Sequence, residues 1–177
     1  SSDYVGPWRE KAEKEAGVNF AFFQGASGNV VTSGSLKGDR NNTPYDAYGR
    51  AIADVTLSAL EGMQKVSAGE LKAVREEVSY TTKTGGTSSF FMSAYAIGDL
   101  ALVTVPCEWH DVFGMQVKEE SPFTMTFISG YTNGSEGYFP MLDSYAEGGY
   151  EARSSNFKAG VAELIIQSGL ELLEELK

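Results

Sequence analysis

The sequence predicts an α/β fold, a mixed β-sheet flanked by helices. Three observations carry that expectation. The apolar runs 100–105 and 123–128 have strand length and end in turn residues. The segment 157–176 places Phe157, Val161, Leu164, Ile165, Leu172, Leu173 and Leu176 on one stripe at helical spacing, with Glu163, Glu171, Glu174 and Glu175 off it. Residues 90–97 and 100–105 are joined by Ile97-Gly98-Asp99-Leu100, which reads as a tight hairpin.

The remaining elements follow in chain order. Ser1, Ser2 and Asp3 offer helix caps, Pro7 suits a first turn, and Trp8 to Glu13 continue a helix that Gly17 ends. The short apolar run 18–23 reads as a buried strand. It feeds Gly25-Ala26-Ser27-Gly28-Asn29, a small-residue loop in which a backbone approaches a ligand closely or simply turns. Residues 35–42 form a polar loop. Thr43-Pro44-Tyr45-Asp46 then starts a helix whose buried face is expected to be Tyr48, Ile52, Val55, Ala59 and Met63. Between residues 71 and 82 the later half reads as a strand, and residues 83–87 as a turn. There is no internal repeat or linker, so residues 1–177 are expected to form a single domain.

Composition narrows the function. With 177 residues and 42% hydrophobic content the chain can build a real core. A net charge of −10 argues against binding a nucleic-acid backbone, which requires clustered Lys and Arg. No apolar run approaches the roughly 18–20 residues of a membrane span. One cysteine and one histidine exclude an internal disulfide, a Cys-rich zinc site and any site built from several histidines of this chain.

The stretch 99–151 concentrates the chemistry. Glu108 follows an apolar strand and Pro106. A carboxylate there binds a cation through oxygen, or sits in the first turn of a helix and interacts with its dipole. If that turn is helical, His110 and Glu108 point in different directions, so His110 is a minor ligand candidate. Cys107 reads as a small core residue. Asn133, amid Gly130, Gly134 and Gly137, fixes a sharply turning loop or contacts a ligand.

Pro106-Cys107-Glu108, Gly130-Tyr131-Thr132-Asn133, Gly137-Tyr138 and Gly149-Tyr150-Glu151-Ala152 together resemble the zinc-binding half of the catalytic domain of neutral ceramidases and their bacterial relatives. The resemblance implies that Glu108 and Tyr138 are metal ligands, that Tyr150 faces the substrate carbonyl, and that Gly28 and Asn29 border the substrate. The step of twelve residues from Tyr138 to Tyr150 fits the family spacing. In that family the other zinc ligands are histidines from the preceding half of the domain, which has no counterpart here. The implied chain is the C-terminal portion of a larger ceramidase-like catalytic domain. Its implied partner is the missing N-terminal half, with two His ligands upstream of Ser1, and as an isolated fragment it should be inactive.

The implied reaction is zinc-dependent hydrolysis of an amide in an N-acyl sphingoid or related lipid. One departure matters. Val31 stands where the family carries a serine beside the scissile amide, and Thr32 replaces a proline. Ser27, Thr32 and Ser33 lie nearby, but nothing in the sequence places one of them in that role. A different amide or ester is therefore an open substrate class, and a non-catalytic ceramidase-like domain that binds a ligand or partner is the rival reading. The expected location of such a hydrolase is secreted or periplasmic.

Overall fold

The structure is a computed structural model that describes residues 1–31, 44–66 and 69–177. The expected polar loop 35–42, the Thr43 cap and the hydroxyls of Thr32 and Ser33 lie outside the described residues. Packing divides the chain into two compact units, Ser1–Phe22 with Val31–Lys65, and Phe23–Val30 with Val66–Lys177.

The first unit pairs two helices. Helix α1 (Val5–Ala16) follows Tyr4, with no side-chain cap bond, so the expected Ser/Asp capping is not used. Asp3 Oδ1 accepts only the adjacent Tyr4 N–H, at 2.7 Å. Gly17 closes the helix at φ 69°, its N–H donating to Glu13 O at 3.0 Å. Helix α2 (Tyr45–Ala59) buries Gly49 and Ala53 and half-buries Tyr48 and Ile52. The expected stripe is thus rotated: Val55 and Met63 are 71% and 74% exposed, and Ala59 is exposed. The cause is steric. The two helices approach so closely that a Cβ on Gly49 would lie 3.0 Å from Trp8 N. Small residues therefore occupy the contact, and Trp8 Nε1 donates to Thr56 Oγ1 at 2.9 Å. The run 18–23 is irregular chain with Val18, Phe22 and Phe23 exposed, not the expected buried strand. Among the described residues no strand pairs with it, and Phe20 and Phe22 instead set their rings 5.9 Å from Trp8.

The second unit is the predicted mixed sheet flanked by helices. Its strands are β1 (Leu71–Thr81), β2 (Thr87–Ile97), β3 (Leu100–Thr104), β4 (Glu108–Trp109), β5 (Met125–Ser129) and β6 (Tyr138–Phe139). The main sheet has the order β1-β2-β3-β5; β1 to β3 run antiparallel and β3 to β5 parallel. The Gly98-Asp99 hairpin forms as expected, with Ile97 opposite Leu100 and Gly98 at φ 58°. Strand β1 is a full-length edge strand. Its charged first half hides the strand pattern because both of its faces meet solvent there.

Helix α3 (Asp111–Glu120) makes the crossover between β3 and β5. Helices α4 (Leu142–Glu147) and α5 (Tyr150–Ser154) are short and lead to α6 (Val161–Leu176). Helix α6 packs on one face of the sheet. Ile165, Leu172 and Leu173 join Met92, Ala94, Val103 and Trp109 in a single core. Leu164, expected on the buried stripe, is 70% exposed, while Ala162 and Ile166 are buried. Among the described residues no helix is long and apolar enough to cross a membrane.

Candidate active site

Strand β3 ends at Thr104, and Pro106 turns the chain into β4. Glu108 therefore sits on a short strand, not in the first turn of a helix, which begins only at Asp111. The partner of β4 is β6, parallel, with Glu108 opposite Tyr138 and Trp109 opposite Phe139. Facing residues of paired strands share a side of the sheet. Trp109 and Phe139 go into the core, each 1% exposed. Glu108 and Tyr138 are left together on the half-buried side.

Tyr131 and Tyr138 both lie near enough to the Glu108 carboxylate for it to bear on their phenols. Burial pushes both phenols up from the usual tyrosine range. The hydrogen bond to Glu108 and its charge add to this at Tyr131; at Tyr138 the Glu108 charge comes next, followed by Tyr150 and Glu151. Both phenols thus hold their protons more tightly than an ordinary tyrosine. The Tyr150 ring stands edge-on to Tyr138, with centroids 5.6 Å apart and planes at 79°. Tyr150 opens α5 and is 60% exposed, so its hydroxyl is accessible from solvent.

Three backbone segments hold this cluster. Glu108 N–H donates to Gly137 O at 2.9 Å, and Glu136 N–H to Pro106 O at 2.6 Å. Gly28 N–H donates to Trp109 O at 2.6 Å. A Cβ on Gly28 would lie 2.5 Å from Glu108 O. The close approach that Gly28 makes is therefore to the β4 backbone itself. Asn29 turns both ends of its amide to Asp111: its Oδ1 accepts the Asp111 N–H at 2.8 Å, and its Nδ2 donates to Asp111 Oδ1 at 2.7 Å. This pair fixes the start of α3 and the small-residue loop to one another. Asn133 is exposed in the left-handed region at φ 62°, a conformation Asn tolerates well.

Of the sequence-expected residues, the fold brings Glu108, Tyr138 and Tyr150 into one cluster. Gly28 and Asn29 support it from behind β4 and at the head of α3. Asn133 lies on the loop between Tyr131 and Tyr138 without contacting the carboxylate.

Tyr131 was not singled out as a site residue. It holds φ 53°, unusual for an aromatic side chain, and lies close enough to Glu108 to feel its charge. The signal for it was present in Gly130-Tyr131-Thr132-Asn133, but the backbone angle was not. His110 also differs from expectation. It follows Glu108 along extended chain, so the helical argument for divergence does not apply. Its ring is buried, and Nε2 has no hydrogen-bond partner among the described residues. Burial lowers its pKa, while Glu151 and Asp111 oppose that shift. Cys107 is fully buried and its thiol is pushed well up by desolvation, as a core residue should be.

The donor chemistry suits part of a zinc cage. Carboxylate and phenolate oxygens are both acceptable ligands once a dication is present to offset ionisation of the phenol. Among the described residues no group of three or more His, Cys, Asp or Glu side chains converges to hold a metal. Glu108 and Tyr138 thus stand as two register-matched oxygen-bearing side chains, with Tyr131 beside them.

The architecture is that of one part of the neutral ceramidases. A ceramidase complexed with C2 superposes with a TM-score of 0.80 over 99% of this chain and 42% of its own, at 14% identity. The neutral ceramidase from Pseudomonas aeruginosa superposes with a TM-score of 0.71 over 99% of this chain and 41% of its own, at 15% identity. The chain spans about two fifths of these structures, and at such identity the likeness is one of fold. No protein-family model matches the sequence, and a search of curated proteins gives no match.

Proposed function

We propose that this chain is the carboxylate-and-phenol half of a zinc-dependent amide hydrolase of the ceramidase type. The observation that carries the reading is the Glu108–Tyr138 pair, placed face to face by the parallel β4–β6 ladder. Glu108 and Tyr138 would hold the metal together with two histidines from the missing N-terminal half of the same domain. Bound zinc supplies Lewis acidity and lowers the pKa of water toward neutrality.

The chain's own residues do the rest. Tyr138 keeps its proton until a cation arrives, because burial and the Glu108 charge both disfavour the phenolate. Tyr131, which lies beside Glu108, would steady the carboxylate by donating its phenol proton to it. Tyr150, exposed at the head of α5, donates a hydrogen bond to the substrate carbonyl oxygen as negative charge develops on it. Asn133 and the loop of Gly28 and Asn29 border the substrate. The substrate class is an amide of an N-acyl sphingoid lipid or a related molecule. Val31 favours the rival reading in one respect: it has no hydroxyl to offer beside an amide, as a binding domain without turnover would not need one.

The test is release of fatty acid from a short-chain N-acyl sphingosine by the intact source protein, with zinc measured alongside. Glu108→Gln should abolish turnover and lower zinc content. Tyr150→Phe should keep zinc and slow turnover by about 10²–10³-fold, the usual loss for one oxyanion donor. The 177-residue chain alone should be inactive and bind zinc weakly. Folded intact protein with neither zinc nor turnover would establish the binding domain instead.

A further inference from the structure

Helix α5 carries the candidate oxyanion donor, yet its own five residues do not keep it in place. Isolated helices shorter than about 12–15 residues do not persist in water. Its N-cap, Gly149, makes no side-chain cap bond among the described residues. Tyr150 is 60% exposed and meets the Tyr138 ring edge-on. The helix backbone therefore sets where the phenol goes, and that backbone is fastened at its other end. The last carbonyls of a helix have no partner within it. Here those of Ala152 and Arg153 both accept the Lys83 ammonium, at 2.5 and 3.1 Å. A cation there also suits the negative end of the helix dipole.

We infer that Lys83 is the positioning residue for Tyr150: from the β1–β2 turn its ammonium ties down the tail of α5 and so holds the phenol at the head of that helix. The inference rests on the reading of Tyr150 as donor to the substrate carbonyl. Lys83 is well placed to hold something still, because its own backbone is locked to the end of the sheet. Its N–H donates to Asn156 O at 2.9 Å, Thr82 bridges Phe157, and Lys158 N–H donates to Thr81 O at 3.1 Å. The ammonium also stands 5.7 Å over the Tyr145 ring of α4. From Ala152 back to Tyr150 is only about 3 Å of helix rise, so movement of the tail is movement of the head. The same ammonium is not needed to hold the chain beyond α5. There Tyr145 Oη donates to Phe157 O at 2.9 Å and Phe157 N–H donates to Ser155 Oγ at 3.1 Å. Lys83 is itself exposed, so removing its charge opens no core. The β4–β6 ladder that carries Glu108 and Tyr138 is separate from it. An oxyanion donor must sit about 2.7–3.1 Å from the developing charge, and a misplacement of about 1 Å costs up to about 10²-fold in rate.

Lys83→Met in the intact source protein tests the inference. The kcat for a short-chain N-acyl sphingosine should fall about tenfold, with KM and zinc content unchanged, because the Tyr150 hydrogen bond strengthens only as charge develops. In a Tyr150→Phe background the same substitution should lower kcat by no more than about twofold, and Lys83→Arg should restore most of the loss. Lys158→Met, on a nearby exposed lysine, should leave kcat unchanged. The Arg153 and Ser155 amides, which close α5 on Gly149 O and Glu151 O, should exchange with deuterium about tenfold faster in Lys83→Met. Unaltered exchange, an undiminished loss in the Tyr150→Phe background, or a like fall in Lys158→Met would overturn the inference. Where Lys83→Met does not fold, Lys83→Gln takes its place, and failure of both to fold would make Lys83 a residue of the fold and overturn it as well. Exchange needs neither metal nor turnover. Faster exchange in a protein that never hydrolyses the amide keeps the clamp on α5 and removes the hydrolase reading; hydrolysis with unaltered exchange does the reverse.

Discussion

The two faces of the main sheet are made by the same strands and have different surroundings. On one side Met92 and Val103 are fully buried beneath α6, whose Leu173 is fully buried in the same core. On the other, Tyr95, Ile97 and Phe127 are apolar side chains in contact with solvent. The contrast teaches that apolar character alone does not say whether a strand face is covered by this chain.

The largest expected difference between the faces is in stability. Leu173→Ala removes a fully buried side chain and should cost about 2–5 kcal/mol in urea denaturation of the 177-residue chain. A cost below about 1 kcal/mol would mean that α6 is not seated as described. Gly28→Ala should cost less, about 1–3 kcal/mol, because its new Cβ meets the Glu108 carbonyl and the β4 backbone must shift. Near-UV circular dichroism of that variant should change around the tyrosine bands, since the shift moves Glu108 relative to Tyr131 and Tyr138. Phe127→Ala on the open face should cost at most about 1 kcal/mol in the isolated chain.

The smallest effect is electrostatic. The raised Tyr131 and Tyr138 phenols bind their protons more tightly folded than unfolded. Their contribution to stability is therefore complete below the ordinary phenol value of about 10 and is lost as pH rises through the higher folded values. Glu108→Gln removes the neighbouring negative charge, so the tyrosinate absorbance of these two residues should appear at lower pH. An unchanged tyrosine titration in Glu108→Gln would show that the carboxylate does not face the phenols.

Much of the fold was legible in the sequence where a pattern had one cause. The Gly98-Asp99 hairpin and most of the apolar stripe of α6 each follow from local spacing. Reading was poorer where tertiary contact decided the outcome. Close helix packing turned α2 onto Gly49 and Ala53 instead of its larger apolar residues. The aromatic run 18–22 served a tryptophan and not a sheet. Leu164 lay beside the buried stripe by one position. For the site, Glu108, Tyr138 and Tyr150 were identified from a resemblance, and the β4–β6 ladder that joins the first two was hidden because each strand has only two residues. Tyr131 was missed because its role depends on a left-handed backbone angle that tyrosine seldom adopts.

Zinc X-ray absorption of the metal-loaded intact source protein tests the central claim most directly. The account predicts a first shell of nitrogen and oxygen at about 2.0–2.2 Å with no sulfur. In that shell an oxygen is lost in Glu108→Gln and another is altered in Tyr138→Phe. A shell that contains sulfur, or one that neither substitution changes, would show that these two side chains do not hold the metal.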